Sequence, residues 1–272
     1  MQKAISYMQL RGGSSKGLYF KATDLPGDEV QKDKVLLAAM CGLGPADARQ
    51  IDGLGGSDPL TSKVAIVSPS NRSGVDLEYE FVQVVVGGNS TDRTQNCGNI
   101  LAGVVPFAIE SGLLDTADPE TSARVYMLNS GSICEVVVQT PNGQLDYAGD
   151  TKIDGVPGTA APVLCNYMNI AGSTCGALFP SGNLVDVIDG IEVTCIDNGM
   201  PVVLLRARDL ERSGYESREE LNNDSELKTK LESIRLQAGT IMNLGDVSGK
   251  VVPKLSLIAK PNDGGLIHTR TF

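Results

Sequence analysis

A single histidine, His268, stands in 272 residues, and that scarcity removes much of the usual repertoire of proton and metal chemistry. No Cys/His dyad of the usual build can form unless His268 reaches a site from the far end of the chain. No zinc cluster can be assembled from the spacing of the six cysteines, Cys41, Cys97, Cys134, Cys165, Cys175 and Cys195. None of them forms a Cys-x-x-Cys pair, and the cytoplasmic setting expected here disfavours disulfides, so most are expected to be buried small hydrophobes. Lys/Arg-rich runs are lacking too. With 23 Lys+Arg against 33 Asp+Glu and a formal charge of -10, this argues against nucleic acid or an anionic membrane surface as partner. No segment is long enough to span a bilayer, and no charged leader followed by an apolar stretch precedes the strand-like Ala4–Leu10. Proton chemistry therefore falls to Lys, Cys, Asp, Glu, Ser or Tyr, and an anionic substrate would need a local basic patch.

What is present is an ordinary globular composition, 41% hydrophobic and 21% charged, with length for two domains. Strand patterns fall at Leu18–Ala22, Lys63–Val67, Leu77–Val86, Arg124–Leu128 and Ile133–Thr140. A Pro141-Asn142-Gly143 hairpin turn then leads to a further strand, Leu145–Ile153. Helices are predicted over Glu29–Met40 and from Gly98 to Leu113. After a Gly/Pro/Ser-rich stretch from Gly172 to Asn183 come strands Leu184–Ile188, Ile191–Ile196 and Pro201–Arg206. A helix follows, with Leu227, Leu231, Ile234, Ala238 and Ile241 on one face. Strands dominate without regular βαβ alternation, which is an α+β pattern. The domain boundary is placed near Asn183, giving domains 1–183 and 184–272.

The most informative stretch is Asn96-Cys97-Gly98-Asn99. A polar loop, 87–95, leads from a strand into it, and the apolar run behind it reads as a buried helix with Asn96 near its N-cap. The free N–H groups of Gly98, Asn99 and Ile100 would then face whatever lies beside the Cys97 sulfur, favouring an anion or a thiolate there. Three loops add candidates. Arg11-Gly12-Gly13-Ser14-Ser15-Lys16-Gly17 combines glycines, hydroxyls and two cations that could approach a carboxylate, although a solvated hairpin loop fits as well, and it lacks the Walker spacing of a phosphate loop. Ile51-Asp52-Gly53-Leu54-Gly55-Gly56 leads to Thr61-Ser62-Lys63, where Lys63 at a strand mouth could serve as a base; an exposed end-of-strand lysine is the commoner case. Ile153-Asp154-Gly155-Val156-Pro157-Gly158-Thr159-Ala160-Ala161-Pro162 places small residues and Thr159 where backbone could line a pocket, or is an ordinary connecting loop.

Taken in order, these five stretches resemble the signature of the PrpF family, and Leu231–Arg235 with Val252-Pro253-Lys254 extends the match along essentially the whole chain. The resemblance implies a diaminopimelate-epimerase-like fold: two similar domains, each a curved, mostly antiparallel sheet around a helix, with the active site in the cleft between them. It implies cofactor-free isomerisation of unsaturated di- and tricarboxylates. Activities known in the family are 4-oxalomesaconate tautomerase and the aconitate, 2-methylaconitate and methylitaconate isomerases. The tautomerase is the expected reading; the alternatives are one of the other three isomerases or a non-catalytic polycarboxylate-binding protein. Proton transfer in the family is carried by the lysine and cysteine that match Lys63 and Cys97.

The chemistry accounts for these residue types. Moving an allylic double bond removes a proton from one carbon and returns one two atoms away, through a dienolate. As a base Lys63 would act in its neutral form, which cations such as Arg11 or Lys16 nearby would favour, with Cys97 donating the second proton or steadying the dienolate; which of the two takes the proton and which gives it depends on the substrate. Expected contacts for a small anionic carboxylate substrate are Arg11, Ser14, Ser15, Lys16, Ser62, Asn96, Gly98, Asn99 and Thr159. No metal or cofactor is expected, and assembly as a homodimer is left open. Family chains normally continue past the strand matching Leu266–Phe272, so the second domain is expected to be incomplete.

Overall fold

Continuous apolar runs and alternating ones mark different positions in the first sheet of this computed structural model, which describes residues 3–93, 96–262 and 264–272. The chain divides into two compact units, Met1–Met168 and Asn169–Phe272. The first contains β1 (Met8–Gly12), β2 (Ser15–Lys21), α1 (Glu29–Cys41), β3 (Lys63–Pro69), β4 (Leu77–Val84) and β5 (Thr91–Asp92). These are followed by α2 (Gly98–Leu101), α3 (Val104–Glu110), β6 (Glu120–Met127), β7 (Ser132–Gln139) and β8 (Val163–Met168). The strand order is β1-β2-β3-β4-β6-β7-β8, with β5 beside β4; β2/β3 and β4/β6 are parallel and the other pairs antiparallel. Each parallel pair needs a crossover, and the helices supply it: α1 between β2 and β3, α2–α3 between β4 and β6.

That topology explains the patterning. Leu18, Phe20, Val64, Ile66, Val82 and Val84 pack on Leu36 and Met40 of α1. Their neighbours Tyr19, Ala65, Val67, Tyr79 and Phe81 face the other way, onto Ile100, Leu101, Val104, Val105 and Phe107. Strands β2 and β3 and the second half of β4 are thus covered on both faces and read as mainly apolar runs, whereas β6 alternates buried with exposed and β7 buried with partly buried residues. The sheet curls around α2–α3, where Ile100, Leu101 and the run Val104–Ala108 are buried, so that stretch is apolar throughout.

The structure corrects three sequence expectations. The helix from Gly98 to Leu113 is two pieces, Gly98–Leu101 and Val104–Glu110. Pro106 has no N–H to give Ala102, and the Tyr19 hydroxyl inserts at the break, donating to Ile100 O at 2.7 Å. Leu145–Ile153 is not a strand. Asp146 turns the chain by accepting from Ala148 N (2.8 Å), and the strand that pairs with β7 on this side is Val163–Met168. The units divide at Met168/Asn169 rather than near Asn183, because the Gly/Ser stretch is tied into the second unit by fully buried Asp197. Its backbone carbonyl accepts from Gly172 N (2.8 Å) and its carboxylate from the N–H groups of Thr174 and Cys175 (2.8 and 2.7 Å). Of the expected loop over 87–95, Thr91 and Asp92 pair with β4, and residues 94 and 95 lie outside the described residues.

The second unit holds β9 (Asp186–Ile188), β10 (Ile191–Asp197), β11 (Pro201–Arg206), α4 (Arg218–Asn223), α5 (Ser225–Ile241), β12 (Lys254–Ala259) and β13 (His268–Thr271). Its sheet runs β13-β12-β11-β10-β9, with only β11/β12 parallel. As the spacing predicts, Leu227, Leu231, Ile234 and Ala238 of α5 are buried against Val193, Cys195, Val203, Leu205, Leu255 and Leu257. Each unit is thus a mostly antiparallel sheet packed on a helix. Among the described residues no helix is long and apolar enough to cross a membrane.

Candidate active site

Lys63 opens β3, paired with Gly17 of β2 on one side and Gln83 of β4 on the other. Its side chain points to the inner face of the sheet, the face of Ala65 and Phe81, and it is only 8% exposed, which separates it from an ordinary end-of-strand lysine. Nζ donates to Gln83 Oε1 at 2.8 Å and lies 5.0 Å from the centre of the Phe81 ring. The Gln83 amide is oriented by its other end, where Nε2 donates to Ser62 O at 2.8 Å. Among the described residues no carboxylate pairs with Lys63. The start of α2 reaches the same place: a Cβ on Gly17 would stand 2.8 Å from Lys63 O and 3.0 Å from Ile100 Cδ1.

Cys97 is the N-cap of α2, one position later than the expected Asn96, with an extended backbone (φ -130°, ψ 104°). It is partly buried, and its carbonyl accepts from the Tyr79 hydroxyl at 3.3 Å. All six cysteines are free thiols. Asn96 instead donates from Nδ2 to Ser130 Oγ at 2.5 Å, while its Oδ1 is buried with no hydrogen-bond partner among the described residues.

Residues 11–17 form a tight hairpin rather than a loop, with β1 and β2 joined through Gly13 and Ser14. The hairpin clasps the helix start: Asn99 Nδ2 donates to Ser14 Oγ (3.0 Å) and Ser15 Oγ (3.1 Å). Gly12 is obligatory, since a Cβ there would stand 2.1 Å from Asn99 O. The hairpin also separates the candidates. Ser15 and Gly17 share the inner face with Lys63, whereas strand alternation turns Lys16 and Ser62 to the outer face, and Arg11, on β1 with β2 between it and Lys63, folds back over the hairpin turn, Nη1 donating to Gly13 O at 2.6 Å. The two cations are therefore not the neighbours of Lys63 that the sequence suggested. Ser62 is fully buried, donating to Val84 O (2.9 Å) and accepting from Gln50 Nε2 (2.9 Å), which makes it scaffold beneath Lys63 rather than a surface open to a ligand.

The two edges of the curled sheet approach one another over Gly98–Pro106 and enclose a cavity of about 240 Å³. Arg11, Gly98, Asn99 and Thr159 line it, together with Tyr147, Val156 and Ala160. Neither Lys63 nor Cys97 lines it; they lie on the inner face beside it, joined to it through Gly98 and Asn99. Sequence reasoning missed Gln83 and Gln50, buried amides with no motif around them. It also missed Tyr167 of β8, whose hydroxyl would stand 2.4 Å from a Cβ on Gly98; a lone tyrosine 69 positions downstream carries no local signal.

A curled α+β sheet around a short broken helix, with a buried lysine and a helix-capping thiol on its inner face, has the fold of an isomerase. The chain belongs to the PrpF family, whose model, described as PrpF protein, matches residues 2–269. A curated relative, "4-oxalomesaconate tautomerase" of Pseudomonas putida, is 55% identical over 271 residues, covering 100% of this chain and 74% of its own. A solved structure, "Methylitaconate-delta-isomerase", superposes with a TM-score of 0.83 at 36% identity, over 94% of this chain and 68% of that one. A hydroxyproline epimerase from Agrobacterium vitis shares the fold at 12% identity and a TM-score of 0.50, over 97% of this chain and 68% of that one.

Proposed function

We propose that this isomerase shifts a proton along the allylic system of a small unsaturated di- or tricarboxylate, with a 4-oxalomesaconate-type keto acid as substrate. The observation that carries the reading is Lys63: a lysine held at 8% exposure on the inner face, with a neutral amide and an aromatic ring as partners and no carboxylate partner among the described residues. The relatives' substrates, oxalomesaconate and methylitaconate, are both carboxylates with a carbon–carbon double bond.

In the proposed reaction one carbon loses a proton to Lys63 and a carbon two atoms away receives one, with Cys97 as the second proton-handling group. The dienolate between these steps spreads its charge into a carboxylate or keto oxygen, where donors from the hairpin and helix start, Ser14, Ser15, Gly98 and Asn99, can meet it. Arg11 sits across from Lys16 on β1–β2, and neither has a carboxylate partner among the described residues; Arg11 supplies positive charge at the rim of the cavity that Thr159 also lines.

The test is Lys63→Met, assayed by proton NMR in deuterium oxide against a panel of unsaturated di- and tricarboxylates. Removing a general base is expected to cut turnover by about 10³-fold while circular dichroism stays unchanged. Turnover close to wild type overturns the assignment of Lys63, and failure of the wild-type protein to isomerise any member of the panel overturns the proposed reaction.

A further inference from the structure

Three phenols surround the start of α2, and two of them are committed to the helix backbone. Tyr19 of β2 donates to Ile100 O at 2.7 Å and Tyr79 of β4 to Cys97 O at 3.3 Å, both from fully buried rings. Tyr167 differs. It is 39% exposed, and its hydroxyl bonds to no described residue. Strand alternation places it with Val163 and Cys165 on the inner face of β8, opposite Cys134 of β7. There its hydroxyl would stand 2.4 Å from a Cβ at position 98, so a side chain there must push the phenol aside. The titratable groups around it are thiols and phenols: Cys97 at the helix start, Cys134 and Cys165 on β7 and β8, and Tyr79 on β4. Burial first, and then the neighbouring thiol groups of Cys165, Cys134 and Cys97, hold the phenol well above its usual range, so it remains a donor at neutral pH.

A donor with no partner among the described residues, 39% exposed and standing against Gly98, the residue next to Cys97, is free to meet a ligand that reaches the start of α2. We propose that Tyr167 is a substrate-contacting residue whose O–H donates a hydrogen bond to a carboxylate oxygen of the anion held beside Cys97. This rests on the reading of Cys97 as part of the site. A hydrogen bond from a neutral donor to a charged acceptor is worth roughly a tenfold change in affinity or more.

Two alkylating reagents of nearly the same shape test it without knowledge of the substrate. Iodoacetate and iodoacetamide both form an S–C bond to a thiolate with loss of iodide, and only iodoacetate carries a carboxylate. The rate of Cys97 modification is read by mass spectrometry for each. In Tyr167→Phe the iodoacetate-to-iodoacetamide ratio at Cys97 is expected to fall about tenfold, with the iodoacetamide rate unchanged. Gly98→Ala keeps the hydroxyl but places a methyl against it, and the same fall is expected; in the double variant the two effects are not additive. With active enzyme, Tyr167→Phe raises KM more than it lowers kcat. An unchanged ratio in Tyr167→Phe or in Gly98→Ala, or a fall shared by both reagents, overturns the proposal. Because alkylation needs no turnover, loss of the isomerase reading on the substrate panel and loss of this contact are separate results.

Discussion

Lys63 and Gln83 face one another across β3 and β4, and the Gln83 amide oxygen accepts from Lys63 Nζ at 2.8 Å. The same amide donates to Ser62 O at 2.8 Å and to Pro59 O at 3.2 Å, so it cannot rotate without leaving donors unsatisfied. A single glutamine thus ties the lysine to the strand mouth that follows the glycine-rich loop.

Gln83→Leu is therefore expected to destabilise the protein by about 2–3 kcal/mol, because it removes one partner of a buried polar pair and leaves the other unpaired. Urea unfolding followed by circular dichroism gives the number. The double variant Gln83→Leu/Lys63→Met should recover much of it, since both polar partners are then gone. A double variant as unstable as Gln83→Leu alone would show that the cost lies elsewhere.

Thiol reactivity should rank by burial. Burial first, then Asp197, pushes Cys175 up to about 11, and burial first, then Asp186, pushes Cys195 up to about 12. At pH 8 both are overwhelmingly in the unreactive thiol form. Cys97, partly buried at a helix start, should label with iodoacetamide ahead of both in the native protein, and mass-spectrometric mapping over time decides it. Cys175 or Cys195 labelling first would contradict the burial assigned to them.

The break between α2 and α3 makes Gly103 a steric test. A Cβ there would stand 2.3 Å from Tyr19 Oη, although the backbone at Gly103 (φ -88°, ψ -5°) is open to any residue. Gly103→Ala should lower stability by about 1–3 kcal/mol from overpacking, and Tyr19→Phe should relieve part of that loss. The melting temperatures of the two single variants and the double variant give the coupling. Purely additive losses would place the strain at another contact.

Arg93 joins α1 to β4 through Asp33 and Glu80, donating to their carboxylates at 2.5 and 2.6 Å. Burial works to raise the Asp33 carboxyl, but hydrogen bonds from Arg93 and Thr91 and the nearby positive charge outweigh it and hold it below its usual 3.8. A carboxyl depressed in the folded state contributes stability above its unfolded value and loses it as pH falls through the folded one. Arg93→Met should be less stable than wild type at pH 7, with the gap narrowing below about pH 4 as Asp33 protonates in both proteins. Denaturant titrations at pH 7, 5 and 3 measure it; a gap independent of pH would rule out this ion pair as its source.

Much of this protein was legible as local chemistry. The double-faced strands, α1 and α5 follow from apolar periodicity, and a helix starting just past Asn96 follows from a polar loop meeting an apolar run, although the cap itself falls on Cys97. Lys63 could be named from its motif but not judged, since only the pairing of β3 with β2 and β4 shows that it is buried. The helix through Gly98 failed for a non-local reason: Tyr19, some 80 residues earlier, occupies the ladder at Ile100.

Sequence alone determined which residue types are available for chemistry: one histidine, six cysteines without metal spacing, and five stretches matching one family. Composition and short-range pattern suffice for that, because availability and local propensity do not depend on distant contacts. Tertiary structure decided which candidates share a face. Side chains alternate along a strand, so a one-residue step moves Lys16 and Ser62 to the opposite side of the sheet from Lys63 and Ser15. The same curling of the sheet that brings its edges together over the helix start delivers Tyr167 to Gly98, a contact that no spacing along the chain encodes.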